Sequence, residues 1–113
     1  MKNEIEIDGQ TYLKKDDCKD LKYVMCRTYS AGVFAGYLKH REGREVTLVD
    51  ARRIWKWEGA ASLSQLAQSG TSKPSECLFP EPVDEVLLLE AIEIIPITEK
   101  AKKTIEAVEI WKA

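Results

Sequence analysis

The runs Lys22-Tyr23-Val24-Met25-Cys26-Arg27-Thr28, Val33-Phe34-Ala35-Gly36-Tyr37-Leu38-Lys39 and Glu45-Val46-Thr47-Leu48-Val49 decide the fold. Each is short and rich in β-branched or aromatic residues. Ser30-Ala31-Gly32 interrupts the first and second, and Arg41-Glu42-Gly43-Arg44 supplies the next turn. Close spacing and short turns predict an antiparallel meander. A fourth strand is expected over residues 51–57, where Ile54, Trp55 and Trp57 take strand-friendly positions. Residues 22–57 therefore read as one β-meander.

Working outward, Glu4-Ile5-Glu6-Ile7, the turn pair Asp8-Gly9 and Gln10-Thr11-Tyr12-Leu13 predict an N-terminal hairpin over residues 1–13. Residues 14–20 are charged and read as a loop or short helical turn. Beyond the meander, residues 60–69 read as a helix, with Ser62-x-x-Gln65 as a capping box and Gly70 as its end. The stretch 69–82 reads as a loop. Residues 83–95 form a long apolar run, one bent strand or two, which Pro96 stops. Thr98 caps a last helix over 99–108. The chain reads as a single domain, residues 1–113. Gly36 inside a strand signals sharp bending or close backbone approach. Val33-x-x-Gly36-x-Leu38, the turn at Gly43 and Val46-x-Leu48 resemble the rhythm of Sm-like and Src-homology barrels. The expected class is α+β: a strongly bent antiparallel sheet or small Sm-like β-barrel with two short helices.

The chain has 113 residues, 44% hydrophobic and 32% charged, enough for a core and a solvated surface, which excludes a disordered chain. No apolar run is long enough for a spanning helix, and Met1-Lys2-Asn3-Glu4-Ile5 lacks the apolar segment of a signal peptide. The thiols Cys18, Cys26 and Cys77 are odd in number and without metal-ligand spacing, which fits reduced thiols in a cytoplasm. His40 is the one histidine, so a His-based metal site or triad is not expected. Net charge is −2, which disfavours long nucleic acid as a partner. The charge is uneven: residues 22–57 hold 8 Lys and Arg against 3 acids, and residues 58–113 hold 5 Lys against 10 acids. The basic middle either meets a phosphate-bearing ligand or is covered by the acidic C-terminal half.

On a regular strand Arg53, Trp55 and Trp57 share one face, and Arg52, Ile54 and Lys56 the other. Indoles stack on bases and guanidinium groups pair with phosphates, although either Trp also serves as a core anchor. Gly59-Ala60-Ala61-Ser62-Leu63-Ser64-Gln65 adds a helix start with hydroxyl and amide donors, or simple capping by Ser62. Arg27-Thr28-Tyr29-Ser30-Ala31-Gly32 forms a backbone nest for phosphate or a plain turn. The expected ligand-binding set is Arg27, Ser30, Arg52, Arg53, Trp55, Trp57, Ser62, Ser64 and Gln65, with no catalytic residue, metal or cofactor.

Arg27-Thr28-x-Ser30-Ala31-Gly32-Val33-Phe34-Ala35-Gly36-Tyr37-Leu38 is one of three stretches that carry a resemblance. The others are Ala51-Arg52-Arg53-x-Trp55-x-Trp57-x-Gly59-Ala60-Ala61-Ser62-Leu63-Ser64-Gln65-Leu66-Ala67 and Ile92-Glu93-Ile94-Ile95-Pro96-x-Thr98-Glu99-x-Ala101. Together the chain is similar to a family of small bacteriophage proteins. In size and compartment it also resembles the nucleotide sponges, phage proteins that sequester signals of bacterial immunity. These resemblances imply a non-enzymatic binder of a small nucleotide, homo-oligomeric and acting in the host cytoplasm. The alternative is an inhibitor or scaffold that binds a host or virion protein.

Overall fold

The computed structural model describes residues 4–7, 10–13 and 20–112. Strands β1 (Glu4–Ile7) and β2 (Gln10–Leu13) pair antiparallel with Ile5 opposite Tyr12, as the alternation predicts. The expected turn at Asp8-Gly9, the segment 14–19 and Cys18 lie outside the described residues.

The body of the protein is a five-stranded antiparallel sheet. Its strands are β3 (Tyr23–Thr28), β4 (Val33–Glu42), β5 (Glu45–Arg53), β6 (Val83–Leu88) and β7 (Ala91–Pro96). The order across the sheet is β6-β5-β4-β3-β7. The apolar run at 83–95 is thus two strands, and they lie on opposite edges. Only Leu89 and Glu90 join them. Three residue steps span at most roughly 11 Å, so the two edges must approach at this corner. The sheet is therefore strongly rolled but not closed into a barrel.

Two irregularities between β4 and β5 produce the bend. Ala35 faces Arg52 and Tyr37 faces Val49, so β5 carries one extra residue; beyond Leu38, β4 carries one. At the first bulge Asp50 has φ 50°, in the left-handed region that Asp tolerates better than most residues. Gly36 lies opposite. A Cβ there would stand 3.0 Å from Ala51 Cα and 3.2 Å from Val49 O, so the close approach needs glycine.

Rolling gives the sheet two apolar sides. Val24, Cys26, Phe34, Val46, Leu48, Ala51 and Leu88 form one cluster. Met25, Ala35 and Ile54 join Leu66, Ala67, Phe79, Ile105 and Val108 in the other. Strand β3 is buried on both faces, which is why it reads as a continuous apolar run.

The second cluster seats the helices. Helix α1 (Leu63–Ser69) starts at Leu63, three residues later than expected, because Ser62 is extended and caps it, accepting from Gln65 N at 3.2 Å. Gly70, at φ 80°, ends it and donates to Leu66 O at 3.0 Å. Thr98 caps α2 (Glu99–Glu106) and its hydroxyl donates to Gln68 O at 2.8 Å, tying the start of α2 to the end of α1. Helix α2 ends two residues before the expected 108. The loop before β6 contains a 3₁₀ turn, Pro74–Glu76.

The fourth strand does not form separately. Residues 51–53 continue β5, and the chain then leaves the sheet with one bridge, Lys56 to Leu78. Just before this exit Arg52 turns inward and is only 6% exposed. Its Nε donates to Pro80 O at 3.1 Å, Nη1 to Ile105 O at 3.1 Å and Nη2 to Phe79 O at 3.2 Å. The guanidinium also lies 5.5 Å from the centre of the Phe79 ring. Burial lowers its pKa, while Tyr23 and Asp50 act in the opposite direction. Ile105 stands in the last turn of α2, where the helix dipole favours a cation. Arg52→Ala should lower the unfolding free energy by about 3 kcal/mol, since buried carbonyls lose their donors. Arg52→Lys should recover only part, because one ammonium lacks the planar fork. Urea unfolding measures both.

Candidate functional site

The rolled sheet sends the expected ligand-binding residues to different places. Arg52 is a correction: it lies in the core, and its guanidinium serves backbone carbonyls. Arg53 points outward as expected, but its Nη1 donates to Ala31 O and it lies over the Phe34 ring, 4.4 Å from the centre. Trp57 is half-buried against the helical cluster and its Nε1 donates to Ala60 O at 3.1 Å. Trp55 alone of that strand's aromatics is well exposed, at 63%. It runs nearly parallel to Trp111, with planes at 20° and centres 6.3 Å apart. A shared Arg53–Trp55–Trp57 face does not form, because pairing with β4 ends at Ile54, whose N–H donates to Val33 O at 2.8 Å, and the chain then leaves the sheet.

Ser62 caps α1, and Gln65 Oε1 accepts from Ala61 N at 2.7 Å. Both side chains serve the helix start, and Ser64 is exposed beside them. The Arg27–Gly32 connection is a side-chain-braced turn: Thr28 Oγ1 donates to Gly32 O at 2.8 Å and accepts from Ala31 N at 2.9 Å. Tyr29 N donates to Glu90 O, so these amides are not arrayed as a phosphate nest. Arg27 Nε binds Glu93 Oε1 at 2.9 Å and Ser30 Oγ binds Glu90 Oε1 at 2.9 Å.

Those last two contacts lead to a site that the sequence reading missed. At the β6–β7 corner, Tyr29 (78% exposed), Leu87, Leu89 (60%) and Ile92 (47%) all reach solvent. On one side of the corner a hollow of about 330 Å³ runs between Ser30, Ala31 and residues 87–90. On the other, Tyr29, Arg44, Glu90, Ala91 and Ile92 line a hollow of about 530 Å³. It adjoins a groove of about 450 Å³ between the β4–β5 turn (Arg41, Gly43, Arg44) and β7 (Ala91 to Ile94). Arg41 and Arg44 read as turn residues in the sequence. Their signal was the Arg-x-x-Arg spacing across Gly43, which acquires meaning only once β7 lies alongside.

A smaller hollow of about 190 Å³, lined by Tyr23, Asp50, Arg52, Pro82 and Glu106, lies beside the buried guanidinium. Tyr23 packs edge-on to Tyr37 at 4.9 Å, and Lys102 Nζ lies 4.9 Å from the centre of the Tyr37 ring. Cys26 and Cys77 are buried free thiols, and burial pushes Cys26 up. Among the described residues, no three His, Cys, Asp or Glu side chains gather where they would hold a metal ion. No helix among them is long and apolar enough to cross a membrane.

The arrangement defines an α+β domain, an open rolled sheet with two helices on one side and an exposed apolar corner flanked by guanidinium groups. The chain belongs to the family described as "Domain of unknown function (DUF6948)", which matches residues 21–105. That span contains the whole corner and groove but stops short of Trp111. No curated protein and no solved structure matches the chain.

Trp55→Ala should change stability by about 1 kcal/mol or less, the scale of one exposed aromatic pair. Trp57→Ala should cost about 3 kcal/mol, as for a core aromatic; thermal melting compares them. Burial, followed by Glu106 and Asp50, raises the Tyr23 pKa well above the usual tyrosine value. The folded protein keeps that proton where the unfolded chain releases it, so stability should fall as pH rises above about 10. Tyr23→Phe should flatten this alkaline loss in urea midpoints measured across that range.

Proposed function

We propose that this protein is a non-enzymatic binding module of bacteriophage origin that acts on a host or virion protein in the host cytoplasm. The observation that supports this best is the β6–β7 corner, where Tyr29, Leu87, Leu89 and Ile92 stand exposed together. An apolar patch with a charged rim is the composition of a protein-contact surface. Tyr and Arg are also the residues that most often carry binding energy there. The hollows beside the corner are open, whereas small-ligand sites usually enclose most of their ligand. The resemblance to small phage proteins suggests the setting.

Sequestration of a nucleotide is the second reading, and one observation favours it. The exposed Trp55 indole lies nearly parallel to Trp111 and offers a stacking plane. A base held there would gain roughly 1–3 kcal/mol. Against it, Arg53 is turned to Ala31 and Phe34, and Arg52 is in the core. Homo-oligomer formation belongs to the same proposal, through the outer strand β6, where Val83 is exposed. Light scattering at micromolar concentration reads it.

Tagged protein incubated in host extract, with and without phage infection, tests the leading reading. It should retain one defined protein, and Leu87→Asp with Leu89→Asp should release it while melting stays unchanged. Retention by the double variant would count against the corner. A nucleotide in the heat-released fraction, lost in Trp55→Ala, would move the assignment to the second reading.

A further inference from the structure

We propose that the groove between the β4–β5 turn and β7 receives an extended acidic segment of the partner as an added strand. This rests on the protein-binding reading above and names the chemistry of what that partner presents.

Strand β7 is at an edge of the sheet and, among the described residues, pairs as a strand only with β3. The ladder phase follows from one bond: Ile97 N donates to Tyr23 O at 3.0 Å. Counting back by twos in an antiparallel pair, Ile95 and Glu93 direct their N–H and C=O toward β3. Ile94, between them, directs its own away, toward the open edge. Natural edges are blunted with Lys, Pro or inward charges. Here the charge within β7 is Glu93, already bound to Arg27, and Pro96 comes only at the end.

The opposite wall shapes the opening. Ala91 N donates to Arg44 O at 3.0 Å, so the β4–β5 turn touches β7 at its first residue. From there the two diverge to leave the groove lined by Arg41, Gly43, Arg44 and residues 91–94. An incoming strand would find backbone groups at Ile94 and apolar surface at Ile92 and Tyr29. Added strands take their affinity from such main-chain bonds and their specificity from alternate side chains.

Charge selects the occupant. Of the nearby carboxylates, Glu93 is ion-paired with Arg27, Glu90 accepts from the Ser30 hydroxyl, and Glu42 in the turn lies 3.8 Å from His40 Nε2. Arg41 uses only Nε, bonded to Gly43 O at 3.0 Å. Arg44 has no side-chain partner among the described residues, and both guanidinium groups are exposed. Two outward cations beside a free strand edge match carboxylates on alternate positions of an extended segment.

The test uses the full chain and two labelled peptides, one alternating valine with glutamate and one alternating valine with lysine. The glutamate peptide should bind and the lysine peptide should not. Arg41→Glu with Arg44→Glu should weaken binding roughly tenfold or more, the scale of one lost charge-assisted contact. Amide exchange supplies a backbone readout. At a peptide concentration about ten times Kd, Ile94 N–H exchange should slow roughly tenfold, and Ile95 should not change. Ile94→Pro, which removes the outward N–H, should abolish binding; the arginine pair keeps the test decisive if that variant unfolds. Equal binding of both peptides, no binding of the glutamate peptide, or unchanged Ile94 exchange would overturn the proposal. So would a concentration-dependent dimer protected at Ile94, because the occupant would then be a second copy. If the Leu87 and Leu89 variants release the partner but the arginine variants keep it, strand addition fails and the protein-binding reading stands.

Discussion

The buried guanidinium of Arg52 fastens together parts of the chain that the helical cluster also packs against the sheet. It comes from the last turnward stretch of β5, and its donors reach Phe79 and Pro80 in the long loop and Ile105 in α2. A buried charge is costly unless its hydrogen-bonding capacity is met. Here the partners are carbonyls, one of them at the negative end of a helix. The loop and α2 are thereby located relative to the sheet. Because Arg52 turns inward, Arg53 turns outward over Phe34, and the chain then leaves the sheet toward Trp55 and Trp57.

The rolled sheet follows from a second constraint, the short link between β6 and β7. Strands on opposite edges can be joined by Leu89 and Glu90 only if those edges nearly meet. The bulges at Asp50 and Lys39, and the missing side chain at Gly36, allow β4 and β5 to curve enough. The same curvature leaves the corner unable to bury its own apolar residues. Leu87, Leu89 and Ile92 are therefore exposed where one strand ends and the next begins, and Tyr29 joins them because its N–H is fastened to Glu90. The exposed apolar corner is a by-product of how this sheet turns.

Local patterns carried most of the elements. The runs at 22–28, 33–39 and 45–49 read as strands because their β-branched and aromatic residues suit a pleated surface and their turns are short; the structure extends the last two to Glu42 and Arg53. The caps at Ser62 and Thr98 were legible because capping is decided within four residues. The candidate site was legible only in part. Trp55 is exposed and Arg53 faces outward, but a shared face with Trp57 required strand alternation to persist through residue 57. It ends earlier because Lys56 pairs with Leu78 by a single bridge rather than a ladder.

Sequence by itself determined the class, an antiparallel sheet with two capped helices, because hydrophobic period and turn chemistry act over a few residues. It also marked Gly36 as a point of sharp bending or close backbone approach, and the structure shows the close approach, to Ala51 and Val49. Tertiary structure decided which residues became neighbours across long separations. Arg41 and Arg44 meet Ile92 and Ile94, roughly fifty residues away, only because β7 crosses to the far edge of the sheet. Arg52 and Arg53, adjacent and alike in sequence, differ completely in environment. On a strand, adjacent side chains point to opposite faces; here Arg52 enters the interior beside the helices, while Arg53 lies at the exposed rim of the other face, over Phe34.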